Sequence, residues 1–246
     1  MTQHSDDDPA PRRGLRRREA LGLLGGGLTG ALGASAALRG EGETATATAQ
    51  AQSCVLTPEV TEGPYWIEGT LTRRDIREGK PGLPLITAFT VQNARTCEPI
   101  PGADLEIWHC DAVGVYSGFE SGAGGGPGGP ASDARFLRGH QRTRADGKAE
   151  FLTVFPGWYP GRTPHIHLKV HAGGRVVHTG QVFFDERITA AVYRRPPYRS
   201  HGAFDTSHAE DGIYAQAGRS RAVLRLRRRG GGRPGYRGSI TLGVAV

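Results

Sequence analysis

The chain has 246 residues, about half of them apolar or glycine, which is ordinary globular usage and excludes a wholly disordered protein. Glycine is abundant at 38 residues but follows no G-X-Y period, so a collagen-like fibre is excluded too. The formal net charge of +7 is local: residues 1–49 balance six Arg against six acids, 50–211 net −1, and the stretch from Gly212 onward holds eight Arg and no acid. Basicity confined to one end does not describe a surface built for nucleic acid, and no such partner is expected.

The N-terminus reads as an export signal. Arg16, Arg17 and Arg18 precede a weakly apolar, Gly/Ala/Leu-rich stretch at 21–38, and Ala47, Thr48 and Ala49 follow as an A-x-A-type cleavage site. Paired arginines before a mildly hydrophobic core point to the twin-arginine route, which exports folded proteins. Residues 1–49 are therefore expected to be signal and linker, with 50–246 one secreted, extracytoplasmic domain. No other apolar run approaches the ~20 residues that span a bilayer.

Short strands dominate the rest. At 85–92, Leu85, Thr87, Phe89 and Val91 share one face; at 104–109, Leu105, Ile107 and His109 alternate with Asp104, Glu106 and Trp108. Asp146 and Gly147 separate two further runs as a hairpin turn would, with Phe151, Leu152 and Val154 in the second. Strands are expected again at 165–170, 176–184, 222–227 and 240–246, with almost no sustained helical period after the signal. Many short strands punctuated by Gly and Pro favour an all-β fold, an antiparallel sandwich or barrel. The run 121–130, SGAGGGPGGP, lacks the Lys-Ser/Thr and the helix of a phosphate cradle and reads as a surface loop.

Three cysteines, Cys54, Cys97 and Cys110, allow three pairings. Cys54 and Cys97 sit among Pro and polar loop residues, whereas Cys110 ends an apolar strand. A Cys54–Cys97 bridge with Cys110 a buried free thiol is the reading those settings favour.

Chemistry concentrates between Trp108 and Gln181. In a strand, His165 and His167 project from one face while Ile166 points the other way, so two imidazoles stand ready as half of a metal site. The cupin use of HxH wants a Glu a few residues later, but Lys169, Val170 and His171 follow, and no carboxylate lies close behind. Tyrosines fill the gap: Tyr159 in GWYPGRTP leads into His165, and Tyr116 follows a strand end and a Gly turn. A phenol with a pKa near ~10 becomes a good ligand only to a strongly Lewis-acidic ion, which suits ferric iron better than zinc or magnesium. His109 is expected at the pocket edge, and His140, His171, His178, His201 and His208 on the surface, none with a catalytic role.

The segments TPEVTEGPYW, CEPIPGADLEIWHCDAVGVYS, FPGWYPGRTPHIHLKV and HTGQVFF resemble the intradiol ring-cleavage dioxygenases, over roughly residues 54–185. The resemblance implies an antiparallel β-sandwich and a non-haem Fe(III) cofactor. It also implies O2-dependent opening of a small aromatic diol, catechol-type, to a muconate-type dicarboxylate. It implies Tyr116, Tyr159, His165 and His167 as metal ligands, with Tyr159 displaced by substrate to act as general base. It further implies Arg162 and Gln181 beside the ring under attack, and Gly63, Pro64 and Tyr65 as the pocket wall. Only Pro160–Pro164 separates Tyr159 from His165, shorter than in catechol- or protocatechuate-cleaving relatives, so a more open pocket is expected. The oligomeric state and the ring substituents are not legible.

Two other uses compete. The chain could be a non-catalytic secreted β-sandwich binding module. Its Arg-rich segment 219–237, in which Leu224 and Leu226 alternate with arginines, could also bind polyanions from an edge strand with a solvated basic face.

Overall fold

The computed structural model describes residues 54–120 and 132–246. The export signal expected over 1–49 and the whole of the Gly-rich 121–130 loop lie outside them. Ten regular elements follow in chain order: β1 (Pro84–Asn93), β2 (Asp104–Trp108), β3 (Arg138–Arg142), β4 (Lys148–Val154), β5 (His165–Ala172), β6 (Arg175–Phe183), α1 (Glu186–Tyr193), α2 (Gly212–Gln216), β7 (Arg225–Arg228) and β8 (Tyr236–Val244). The strands form two four-stranded sheets, ordered β4-β1-β8-β7 and β3-β2-β5-β6. This is the expected all-β sandwich, and all pairings are antiparallel except β1 with β8.

Period-two patterning builds the core as read. Leu85, Phe89 and Val91 of β1, Leu105 and Ile107 of β2, Phe151 of β4 and Ile166, Leu168 and Val170 of β5 are all fully buried in one cluster. Each such side chain contributes about 1.5–3 kcal/mol by leaving water. The Cys54–Cys97 disulfide forms, closing a 43-residue separation, and Cys110 is free and buried.

Local signals misjudged several longer-range features. The Asp146–Gly147 turn exists, closed by Gly147 N–H to Arg144 O at 2.9 Å, but β3 and β4 belong to different sheets and make no hairpin. A turn's chemistry reverses the chain without choosing the partner strand. The strand expected at 222–227 is β7, preceded by a 3-10 turn at Arg219–Ala222, and β8 begins at Tyr236 rather than at residue 240. Two short helices also appear, of eight and five residues, too short to show a period. Asp185 and Asp211 start them by accepting backbone N–H groups of the first turn, the usual N-cap device. Among the described residues no helix is long and apolar enough to cross a membrane.

Two histidines are not where their sequence suggested. His109 is not at a pocket edge: it is fully buried, with Nδ1 2.7 Å from Cys110 O and Nε2 2.7 Å from Thr153 Oγ1, tying β2's end to β4. His178 is buried rather than on the surface. The other four are partly buried, and His140 is held by Asp104 and Thr72 at 2.7 Å each.

Burial lowers the His109 pKa to about 4, partly offset by its contact with the Cys110 carbonyl. In the unfolded chain the imidazole takes a proton near ~6.5, so the fold is fully stable with respect to this group above that pH. Stability falls between pH 6.5 and 4, by on the order of 3 kcal/mol. The urea midpoint is expected to drop over that interval, and His109→Gln to flatten the drop; an unchanged acid limb refutes the assignment.

Candidate active site

The site gathers on the outward face of β5 near its start, where His165 and His167 project together and Ile166 enters the core. Their Nε2 atoms lie 3.0 Å apart. His165 donates Nδ1–H to Thr163 O at 2.7 Å, so its Nε2 lone pair faces the centre. His167 is held by packing instead. Trp108 stacks on it with centroids 5.0 Å apart, and a Cβ built on Gly63 would sit 3.2 Å from its Cε1. Its Nδ1 has no hydrogen-bond partner among the described residues.

Both predicted tyrosines arrive here. Tyr159 Oη is 3.1 Å and Tyr116 Oη 3.5 Å from His165 Nε2. Tyr116 sits on a loop set by Asp111, whose Oδ1 accepts the N–H groups of Val113 and Val115 at 3.0 Å each. Gly114 turns that loop with φ +86°, and a Cβ there would fall 2.2 Å from Trp158 O. The two tyrosine loops therefore pack closer than any larger residue at 114 permits. Tyr65 completes the wall, stacked on Tyr116 at 4.1 Å and edge-on to Tyr159 at 5.7 Å. Gly63 and Tyr65 thus lie against the donors, while Pro64 between them is exposed.

Beside them Arg162 donates through Nη2 to Gln181 Oε1 at 2.6 Å, while Gln181 Nε2 donates to Thr61 O at 3.0 Å. Sequence reasoning missed the group that holds this pair. Asp211 accepts from Arg162 Nε at 2.9 Å and from Thr163 N–H at 3.0 Å, and caps α2 with its other oxygen. The one signal for it was its N-cap position ahead of Gly212. Burial alone would raise the Asp211 pKa, but Arg162 and the bonds from Tyr214 and Thr163 hold it below the usual carboxylate range.

Arg138 was missed as well. It is almost fully buried, donates to Ser117 Oγ and O at 2.7 and 2.8 Å, and lies 5.9 Å from the Tyr116 ring centre. Burial pushes its pKa down to about 10.

Burial sets the state of the donors. It raises the Tyr116 phenol well above its ordinary range and raises Tyr159 too, the latter against the opposing pull of Arg162. It lowers His165 to about 3, helped by Arg162, and pushes His167 far down, helped by His165. Two neutral imidazoles and two phenols thus meet in a largely buried site. Among the described residues no three His, Cys, Asp or Glu cluster in a metal-holding manner. Any ion here would depend on the phenol oxygens.

A strap over the sheet fixes Tyr65. Its neighbour Trp66 donates Nε1–H to Glu106 Oε2 at 3.2 Å, Thr70 donates to Glu106 Oε1 at 2.8 Å, and Lys169 Nζ lies 3.5 Å from the Trp66 ring centre while pairing with Glu62. Glu106→Ala leaves two donors unpaired, at a cost of about 1–3 kcal/mol. The urea midpoint of Glu106→Ala is expected to fall accordingly, and an unchanged midpoint excludes this role.

Comparison with known proteins bears on the family and the fold. A family model described as Dioxygenase matches residues 61–192, more than half the chain. An intradiol ring-cleavage dioxygenase from Tetranychus urticae is 36% identical with a TM-score of 0.74, over 78% of this chain and 95% of its own. The dioxygenase domain of a dioxygenase carbohydrate-binding protein fusion from Streptomyces sp. SirexAA-E is 30% identical with a TM-score of 0.54, over 78% and 99%. Catechol 1,2-dioxygenase 1 of Acinetobacter lwoffii is 36% identical over 108 residues; the match spans 42% of this chain but about a third, 32%, of that longer relative. With fold, matched span and whole-length relatives in agreement, this chain belongs to the intradiol ring-cleavage dioxygenase family.

Proposed function

We propose that the protein opens a catechol-type aromatic between its two hydroxyls, using O2 at a non-haem ferric iron and yielding a muconate-type dicarboxylate. The observation that carries the reading is the convergence of Tyr116, Tyr159, His165 and His167 on one point. The donor set fits the ion. Two buried phenols whose pKa values are raised gain most from a strongly Lewis-acidic cation, and a trivalent ion leaves one net positive charge after both ionise. Ferric iron, when bound, would draw electron density from a chelated diol and bring the ring itself to react with O2.

The chain's own groups then divide the work. Tyr159, the less buried phenol, would in its ionised form take a proton from the diol at Oη and hold it there as the neutral phenol. Arg162 keeps a fixed positive charge at the ring and its oxygens, aimed by Gln181 and Asp211 on two sides. Tyr65 and Trp108 pack the donors and keep water from them. The turn between Tyr159 and His165 is short and exposed at Pro160 and Gly161, which supports a pocket open to substituted diols. The Cys54–Cys97 bridge supports an oxidising, extracytoplasmic setting, reached by the twin-arginine route.

The test is the visible spectrum of the purified mature protein before and after anaerobic addition of catechol. A phenolate-to-iron charge-transfer band that moves to longer wavelength with catechol supports ligation and chelation together. A protein that stays colourless after ferric loading refutes the proposal and favours the non-catalytic binding module.

A further inference from the structure

The β4-β1-β8-β7 sheet carries a second feature, which shares no residue with the four-donor site. A groove of about 1010 Å³ runs past β7 and β8 and is lined by Lys148, Arg187, Arg221, Arg225, Ser239 and Thr241. A smaller cavity of about 310 Å³ continues it, sharing Arg221, Arg225 and Thr241. The cations come from four separate elements: β4, α1, the 3-10 turn and β7. Among the described residues Arg187, Arg221 and Arg225 are exposed and pair with no carboxylate. The acids at the groove are already engaged. Asp185 caps α1 through Arg187 and Ile188 N–H, and Glu186 accepts His208 N–H at 2.7 Å.

Arginines on β7 alone would have a simpler reading, since charge on an edge strand blocks pairing with another chain. That accounts for Arg227 and Arg228. It does not account for Arg187 and Arg221, which the fold brings to the same trough from elsewhere, beside Lys148, whose Nζ pairs with Asp146 at 2.8 Å.

We propose that this groove binds a linear carboxylated polysaccharide. Spaced cations meet its carboxylates, and Ser239 and Thr241 offer hydroxyls to a polyhydroxylated chain. Single-stranded nucleic acid needs free aromatic faces, but Tyr214, the groove's one aromatic ring apart from histidine, is stacked on His208 at 3.9 Å. A bilayer surface is broad and flat and does not enter a trough. The Cys54–Cys97 disulfide supports an oxidising setting outside the cytoplasm, where extracellular polysaccharide is met.

The experiment measures binding of the full chain to polygalacturonate at two salt concentrations, by calorimetry and by retardation in polysaccharide-loaded gels. One variant carries Arg187→Glu, Arg221→Glu and Arg225→Glu together. A control carries Arg194→Glu, Arg195→Glu and Arg199→Glu, the same charge change at exposed sites that do not line the groove. Near-UV circular dichroism confirms that each variant is folded; an Arg→Gln triple at the groove, with the same expected loss, replaces the Glu triple if that does not fold, and an Arg→Lys triple serves as the charge-retaining comparison. Wild type is expected to bind, more weakly as salt rises; the groove Glu triple loses at least about tenfold, and the control and Lys triple stay within about twofold. Equal losses in groove and control variants overturn the proposal, as does no binding by wild type or equal affinity for neutral dextran. Tighter binding to single-stranded DNA or to phosphatidylglycerol vesicles overturns it in favour of that occupant. The readout needs no iron, so its failure leaves the ring-cleavage reading untouched, and the reverse also holds.

Discussion

Tyr116→Phe is expected to give a protein that folds normally yet loses both colour and ring cleavage. The change removes one oxygen, the one 3.5 Å from His165 Nε2, and leaves the ring stacked on Tyr65 at 4.1 Å. Packing is therefore preserved while, on the proposed ligand set, one of two anionic oxygens disappears. Loss of groups that merely orient metal ligands costs about 10–100-fold in metal affinity, so loss of a ligand itself should cost at least roughly a hundredfold. Iron content after dialysis, the visible band and turnover of catechol should fall together. His167→Ala is the companion variant, expected to behave alike from the neutral-donor side. A Tyr116→Phe protein that keeps wild-type colour and rate would remove Tyr116 from the ligand set.

Arg162→Ala is expected to separate binding of iron from chemistry. Its guanidinium is bonded to Gln181 and Asp211 and to none of the four donors, so the band should survive. Removing one preorganised electrostatic stabiliser costs about 10²–10³ in kcat, roughly 2.7–4 kcal/mol. Asp211→Asn should cost less, on the order of tenfold, because Arg162 stays in place but loses the carboxylate that aims it. An unchanged kcat in Arg162→Ala would retire its role at the ring. Equal losses in Arg162→Ala and Asp211→Asn would mean instead that Arg162 contributes nothing unless the Asp211 carboxylate aims it, since both variants keep a capping residue on α2.

The groups that carry these predictions were unequally legible. His165 and His167 were readable because strand alternation puts residues i and i+2 on one side, a local rule that needs no tertiary information. Tyr116, Tyr159, Arg162 and Gln181 were readable only through their ordered motifs; singly, each could have been a turn aromatic or a surface polar. Asp211, Arg138 and Glu106 were not readable in those roles. Asp211 is 49 positions from Arg162, Glu106 is 40 from Trp66, and Arg138 reaches Ser117 across 21. Nothing local in the chain declares such pairs.

The same division runs through the fold. The sequence by itself determined which residues line the core, because period-two alternation is enforced by the pleat of each strand. It also determined that the chain is an all-β protein with a two-histidine face. Only the tertiary structure decided that β3 and β4 part into different sheets, that β8 runs parallel to β1, and that His109 and His178 are buried. Strand pairing and burial depend on which distant faces complement one another, and that is settled when the sheets close over a shared core. The basic groove is decided at the same level, since its four cations come together only when α1, β4 and β7 have taken their places.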